Sequence, residues 1–330
     1  SELKQRPVFI VGHPKAGTSL LLNLLDSHSQ LVVFPEETLF LRRVLPLLEK
    51  SPRGAWYGIA KANLIDFFNW NTESTVPSQA GFETHDYSFI SFDAVEKAME
   101  KDWGSVATYG DVLSAAVIAF GDAAGQLSES ASRWVEKTPL HEYAANKIFE
   151  LWPEAKILHI VRDPRDNFSS YERKHADWTA QHFARKWRRS TRAGLTSLRR
   201  FGPDRYLMLK YEDLVLDNQE VIERICTFLE IRFEEILNQP TKVGKAWSAN
   251  TMFGVGSEQI SSAPVGRWEN ILSNDDVTVI EVIASKQMKA CGYPQKRQWG
   301  LRGLVHGGYW RLRQNYYFSL GAGRNKVRQD

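Results

Sequence analysis

The stretch Pro7-Val8-Phe9-Ile10-Val11-Gly12-His13-Pro14-Lys15-Ala16-Gly17-Thr18-Ser19-Leu20-Leu21-Leu22-Asn23-Leu24-Leu25 decides the fold class. Its first five residues form an unbroken apolar run with β-branched members, the pattern of a strand buried on both faces. Two glycines and a proline then break the run. Beyond them Leu20, Leu21, Leu24 and Leu25 recur at helical spacing, which predicts a helix over 18–27 with a broad apolar face. Strand, glycine loop and helix, in that order, open an α/β domain. The loop has the outline G-x-x-x-x-G-x-[ST]. A nucleoside-triphosphate loop carries lysine where Thr18 stands; here the lysine lies inside the loop, at Lys15. The first N–H groups of a helix lack intrahelical partners and sit at the positive end of its dipole, so they can cradle an anion. Thr18 and Ser19 add hydroxyl donors, and Lys15 reaches the anion's outer group. Taken alone, the stretch reads equally well as an ordinary strand-to-helix turn.

Outward from this point a second short strand is expected over 31–34, closed by Pro35. Residues 41–131 show no clean periodicity, although 111–126, rich in Ala and Val, reads as a helix. Farther on the pattern sharpens. Helix is expected over 143–151, strand over 156–161, a strongly basic helix over 180–200, strand over 206–209 and an amphipathic helix over 218–229. Alternating strands and helices imply an α/β, P-loop-like domain, its central sheet mainly parallel and flanked by helices. The expected organisation is one domain over 1–294, with a less regular acceptor-side segment at about 41–131. An extension over 295–330 follows, in which Arg297, Arg302, Arg311 and Arg313 alternate with Trp299, Tyr309, Trp310 and Tyr316. It reads as an appended helix, a partner surface or a membrane-surface contact.

Composition bounds the function. The 330 residues are 43% hydrophobic and 25% charged, values of a folded globular chain, which excludes a disordered one. A net charge of +3 is too small for a protein that coats a polyanion, so no nucleic-acid partner is expected. Cys226 and Cys291 are too few for a disulfide framework or a thiolate zinc site and lean towards a reducing, cytoplasmic setting. Cys226 falls on the apolar face of a helical pattern and reads as an inert buried thiol. No apolar run approaches the roughly 20 residues of a membrane span, and Ser1-Glu2-Leu3-Lys4 does not read as a signal peptide.

A second anion site is expected where the 156–161 strand gives way to Arg162-Asp163-Pro164-Arg165-Asp166-Asn167-Phe168-Ser169-Ser170. Ligands of open α/β sheets bind beyond the carboxyl ends of strands. Arg162 is placed for a phosphate there, which arginine can grip bidentately, and Ser170 can donate to the same group. The competing reading pairs Arg162 or Arg165 with Asp163 or Asp166 as a structural ion pair.

Together these residues resemble a known family. Pro14-Lys15-Ala16-Gly17-Thr18-Ser19 resembles the 5′-phosphosulfate loop of sulfotransferases that use 3′-phosphoadenosine 5′-phosphosulfate (PAPS). Val161-Arg162-Asp163-Pro164-Arg165 with Ser170 resembles their 3′-phosphate site. Pro35-Glu36-Glu37-Thr38 resembles the acidic segment of the tyrosylprotein and carbohydrate branches, and Glu136-Lys137-Thr138-Pro139 is similar to their Lys-x-Pro segment. Lys210-Tyr211-Glu212-Asp213-Leu214 resembles the strand-end tyrosine motif, and Gly266-Arg267-Trp268 the late basic-Trp motif. The likeness runs from Pro7 to Pro294 and is nearest to the tyrosylprotein type. It departs from that type at Lys15, where those enzymes carry arginine, and in lacking the paired cysteines of those secreted proteins.

The resemblance implies PAPS as sulfuryl donor, adenosine 3′,5′-bisphosphate (PAP) as product, and no metal. It assigns Lys15 and Lys137 to the transferring group and the leaving 5′-phosphate, with Ala16, Gly17, Thr18 and Ser19 completing the cradle. Glu37 is the implied general base, Glu36 its solvated or capping neighbour, and His13 and His28 are alternative bases. Arg162, Ser170 and Arg267 are implied for the 3′-phosphate, with Tyr211 supporting the nucleotide. Ser257 is implied to face the donor, or else Ser261 or Ser262. Trp268 stacks on the adenine or simply packs. A sulfuryl group carries less negative charge than a phosphoryl group, so fixed cations and N–H donors serve where a kinase needs magnesium. The acceptor is a hydroxyl of a small molecule, lipid, sugar or peptide tyrosine, and the oligomeric state is open. Trp56, Tyr57, Phe67, Phe68 and Trp70 line an acceptor pocket or belong to the core. The rival readings are a magnesium-dependent kinase with Asp163 as metal carboxylate, and a non-catalytic nucleotide-binding module.

Overall fold

The computed structural model describes residues 2–70, 87, 89–172, 178–247 and 260–296. Five strands, β1 (Pro7–Val11), β2 (Leu31–Val33), β3 (Arg133–Lys137), β4 (Lys156–Val161) and β5 (Tyr206–Lys210), form one sheet in the order β2-β3-β1-β4-β5. Every neighbouring pair is parallel, as the alternation of strands and helices implies. Side chains alternate across the sheet. Val8, Ile10, Val135, Leu158 and Ile160 enter one core with the helices Thr18–Leu25 and Asn218–Leu229. Phe9, Val11, Trp134 and Ile157 enter a second core, built largely from the chain between β2 and β3.

That intervening chain corrects the expectation of an irregular segment over 41–131. It holds the helices Phe40–Arg43, Leu45–Glu49, Trp56–Trp70, Phe92–Trp103 and Tyr109–Ala123. On the Trp56–Trp70 helix a buried stripe at Trp56, Ala60, Leu64 and Phe68 follows the four-residue spacing of a core face. Ile59, Ile65 and Phe67 are apolar on the other sides of the helix and mask that stripe in the sequence. Strand β3 was equally hard to read, because three of its five residues are charged. All five are buried: Arg133 is satisfied by the carbonyls of Leu229 and Glu154 and by the Glu230 carboxylate.

The chain divides into two compact units, Ser1–Arg162 with Arg189–Gly266, and Asp163–Arg188 with Arg267–Asp330. The sheet lies in the first. In the second, the helices Pro164–Glu172 and Asn274–Ala290 are tied by a buried ion pair, Arg165 to Glu281 at 2.7 Å. The Trp268 ring lies against the same guanidinium, 4.1 Å from its centre. The basic helix expected over 180–200 runs Ala180–Phe201. Among the described residues no helix is long and apolar enough to cross a membrane. Both cysteines are free, and burial lifts the Cys226 thiol to about 11. The extension expected over 295–330 lies, apart from its first two residues, outside the described residues.

Candidate functional site

The connection leaving β1 runs towards β2 on one side of the sheet, and that leaving β4 runs towards β5 on the other. The carboxyl ends of β1 and β4 therefore flank the position where the strand order reverses, which is where open α/β sheets bind ligands. The glycine loop sits there. Gly12 has φ +149°, and a Cβ on it would stand 2.4 Å from the Ile160 carbonyl oxygen of β4. Gly17 has φ +108°, and a Cβ there would meet the Tyr211 ring at 2.5 Å. Neither position admits a side chain. The Thr18–Leu25 helix starts without a side-chain cap, so its first N–H groups are directed into the loop. Thr18 and Ala16 are buried; Ser19 is exposed.

The loop is clamped from the segment after β3. The Leu140 N–H donates to the Gly12 carbonyl at 3.2 Å. Glu142 is buried and takes a hydrogen bond from Ser190; burial holds its carboxyl above the usual carboxylate range. Three non-glycine residues in left-handed backbone, Lys15, Leu39 and Leu140, occupy the turns that follow β1, β2 and β3. Such conformations cost free energy and concentrate at functional sites.

Lys137 ends β3 and pairs in register with Ile10 of β1. It is buried, 5% exposed, and its Nζ lies 3.3 Å from Glu37 Oε1. Glu36 is turned elsewhere: it accepts a hydrogen bond from the Tyr87 hydroxyl at 2.8 Å and pairs with Lys242. Burial lowers the Lys242 ammonium's pKa, which Glu36 partly counters. The two neighbouring glutamates thus have separate partners, with the Glu37 side chain 42% exposed. Glu37 is held in place by a residue whose role the sequence did not reveal. Glu136, fully buried, accepts from Thr38 Oγ1 and Thr138 Oγ1, both at 2.8 Å, and from His141 Nδ1 at 3.1 Å. This carboxylate fastens the Pro35–Thr38 segment to the end of β3. A charged residue directly before Lys137 on a buried strand was the available signal.

The two histidines named as alternative bases are both buried. His28 Nδ1 accepts from the Gln30 N–H at 3.1 Å, and Nε2 donates to the Arg232 carbonyl at 2.8 Å. His13 is buried and contacts the Pro14 carbonyl. Arg162 donates to the carbonyls of Lys15 and Pro264, both at 3.2 Å, and stacks 4.5 Å from the Tyr211 ring centre. Tyr211 therefore packs against the loop through Gly17 and carries Arg162 on its ring. The structural ion pair is formed by Arg165, which grips both oxygens of Asp163 at 2.6–2.9 Å. Asp163 also accepts from the Arg165 N–H. Ser170 and Arg267 belong to the second unit, where Ser170 is buried in the Pro164–Glu172 helix. The Trp268 ring there packs between Arg165 and Lys296, and the Trp268 backbone N–H donates to Asp166. Ser261 and Ser262 are exposed; Ser257 lies outside the described residues. Of the five aromatics, Trp56 and Phe68 are core, Tyr57 donates to Glu100, and Phe67 lines a cavity beside Glu37. The Trp70 side chain lies outside the described residues.

A model of the sulfotransferase family matches residues 7–235, which carry the glycine loop, Glu37, Lys137, Arg162 and Tyr211. The chain belongs to the sulfotransferase family. It is similar to the protein-tyrosine sulfotransferase of Drosophila melanogaster, 26% identical over 72% of this chain and 42% of that protein. It is also similar to protein-tyrosine sulfotransferase A of Caenorhabditis elegans, 23% identical over 87% of this chain and 67% of that protein. The chain thus spans about two-fifths of the length of the fly relative. Among solved structures it shares its fold with the sulfotransferase domain of the Synechococcus PCC 7002 olefin synthase. There the TM-score is 0.56 at 22% identity, over 88% of this chain and 95% of that one. The sulfotransferase domain of the curacin biosynthetic pathway gives 0.53 at 18% identity, over 87% and 98%. Sulfotransferase membership fits the carboxylate geometry: the Asp163 that a magnesium-dependent kinase would need is engaged by Arg165.

Proposed function

We propose that the chain transfers a sulfuryl group from PAPS to an acceptor hydroxyl by in-line displacement. The observation that carries this reading is the Lys137–Glu37 pair beside the glycine loop, with Glu36 withdrawn to Tyr87 and Lys242. The donor fits the residues present: a loop with no room for a Cβ at Gly12 or Gly17, uncapped helix N–H groups, two hydroxyls and two lysines form an anion cradle of the right chemistry. PAPS supplies a sulfuryl group on a phosphate leaving group. Glu37 takes the acceptor's proton as its oxygen bonds to sulfur. Lys15 and Lys137 offset the negative charge that develops on the leaving oxygen, and no covalent enzyme intermediate is needed. Arg162, Ser170 and Arg267 hold the 3′-phosphate, an assignment that rests on their motifs. On the same ground Ser257, or else Ser261 or Ser262, is assigned to the donor. The acceptor is a hydroxyl compound, peptide tyrosine included by similarity to the two named relatives.

The test is thermal or chemical denaturation with PAP and no magnesium. At a hundred times its dissociation constant PAP adds about 2.7 kcal/mol of stability. Stabilisation by ATP with magnesium but not by PAP would reject the reading in favour of a kinase. Binding of PAP without turnover of PAPS under any acceptor would leave a non-catalytic module.

A further inference from the structure

We infer that the acceptor is an alcohol borne on an uncharged apolar body, bound in the cavity that adjoins Glu37. The inference rests on the sulfuryl-transfer reading above and narrows its acceptor. The cavity measures about 800 Å³, the size of small-molecule sites. Glu36, Glu37 and Thr38 form one part of its lining. The rest is supplied largely by apolar side chains, among them Phe34, Val44, Ile59, Phe67, Ala116 and Val117.

Two features give this lining meaning. On the Trp56–Trp70 helix Ile59 and Phe67 flank the core stripe; both pack against that core while only partly buried, and both also line the cavity. Leu47 lines the cavity too while 54% exposed, so the apolar surface continues to the edge. Beyond Glu36 and Glu37 the charged groups that line it, among the described residues, are Arg43 and Asp66. With Glu36 and Glu37 the described lining carries three acidic groups to one basic group, which disfavours a strongly acidic peptide. A sugar or an extended peptide would bring many polar groups into contact with walls that have few partners for them, and each one left unpaired opposes binding. An aliphatic or ring-bearing alcohol meets no such obstacle. Its hydroxyl alone needs a polar partner, and Glu37 provides it.

The test uses the chain with PAPS and a series of primary alcohols from 1-butanol to 1-octanol, with sulfated product measured by mass spectrometry. Each added methylene should raise kcat/KM about fourfold, or about 250-fold across the series. Ala116→Phe, which narrows the cavity, should lower kcat/KM for octanol roughly tenfold or more, while calorimetry finds PAP affinity unchanged. A flat series would overturn the inference. So would a higher kcat/KM for an acidic tyrosyl peptide or a simple glycoside than for octanol, or an Ala116→Phe variant that handles octanol normally. Calorimetry with PAP on the same preparation separates the two levels. Without PAP binding the sulfuryl-transfer reading falls; with PAP binding and a flat series, only the acceptor class falls.

Discussion

The Lys137 ammonium lies 3.3 Å from the Glu37 carboxylate, bridging the end of β3 and the segment that follows β2. The two strands are adjacent and parallel, with Val33 opposite Val135, so the pair is a consequence of sheet order. The Glu136 network then fixes Thr38, and with it the direction of its neighbour Glu37.

Glu37→Gln removes the proton acceptor but keeps the shape and a hydrogen-bonding oxygen. Turnover should fall by about 10²–10⁴, the usual contribution of a positioned base, with PAP affinity within a fewfold of the parent by calorimetry. Glu36→Gln should behave differently. It weakens a pair with the mostly buried Lys242 and the bond from Tyr87, so it should cost stability, about 1–3 kcal/mol by urea denaturation, and spare most of kcat. The reverse pattern would exchange the two roles.

Gly17→Ala tests the loop. The new methyl would stand 2.5 Å from the Tyr211 ring in a backbone conformation that alanine resists. About 1–3 kcal/mol of strain is expected from the backbone alone, together with loss of PAP binding. Adding Tyr211→Ala should relieve the contact but not the backbone strain, so the double variant should regain part of the stability and little of the binding. Full recovery by the double variant would show that the clash with the ring was the whole obstacle.

The parts of this fold that were legible in the sequence are those governed by local patterning. β1, β4, β5 and the Asn218–Leu229 helix lie where their apolar runs and spacings place them. The glycine loop was legible as well, because backbone geometry forbids side chains at Gly12 and Gly17. β3 was obscured by buried charges whose partners, Leu229, Glu154 and Glu230, lie far along the chain. The helices between β2 and β3 were obscured by apolar residues on more than one face. The separate partners of Glu36 and Glu37 were out of reach for the same reason as β3: Lys242 and Tyr87 are distant in sequence, and only tertiary packing brings them to Glu36.

Arg162 links the loop to Tyr211 through the Lys15 carbonyl and the ring face, and its motif assigns it to the 3′-phosphate. Arg162→Ala should therefore weaken PAP much more than adenosine 5′-monophosphate, by about tenfold or more in the ratio of dissociation constants, as befits loss of a charge-assisted contact. Equal weakening of both nucleotides would mean that the residue acts only by holding the loop.

Acid stability should depend on Glu230. This carboxylate closes the Asn218–Leu229 helix and joins Lys156 at 2.9 Å, Arg133 at 2.7 Å and Arg6 at 2.7 Å. The hydrogen bond from Lys156, followed by that from Arg133, holds its pKa down at about 2 against a usual carboxylate value of 4.5. A depressed folded-state value means that the unfolded chain binds the proton first. The stabilisation is therefore complete above about pH 4.5 and is lost as the pH falls towards 2. The side chain is 55% exposed, so solvent screens the cluster and the contribution should be about 1 kcal/mol or less. Urea midpoints measured from pH 6 to pH 2.5 should fall more steeply for the parent than for Glu230→Gln, which has no proton to gain. In 1 M salt, where the Debye length is about 3 Å, the two curves should draw together. Parallel curves at low salt would remove Glu230 as a source of the acid sensitivity.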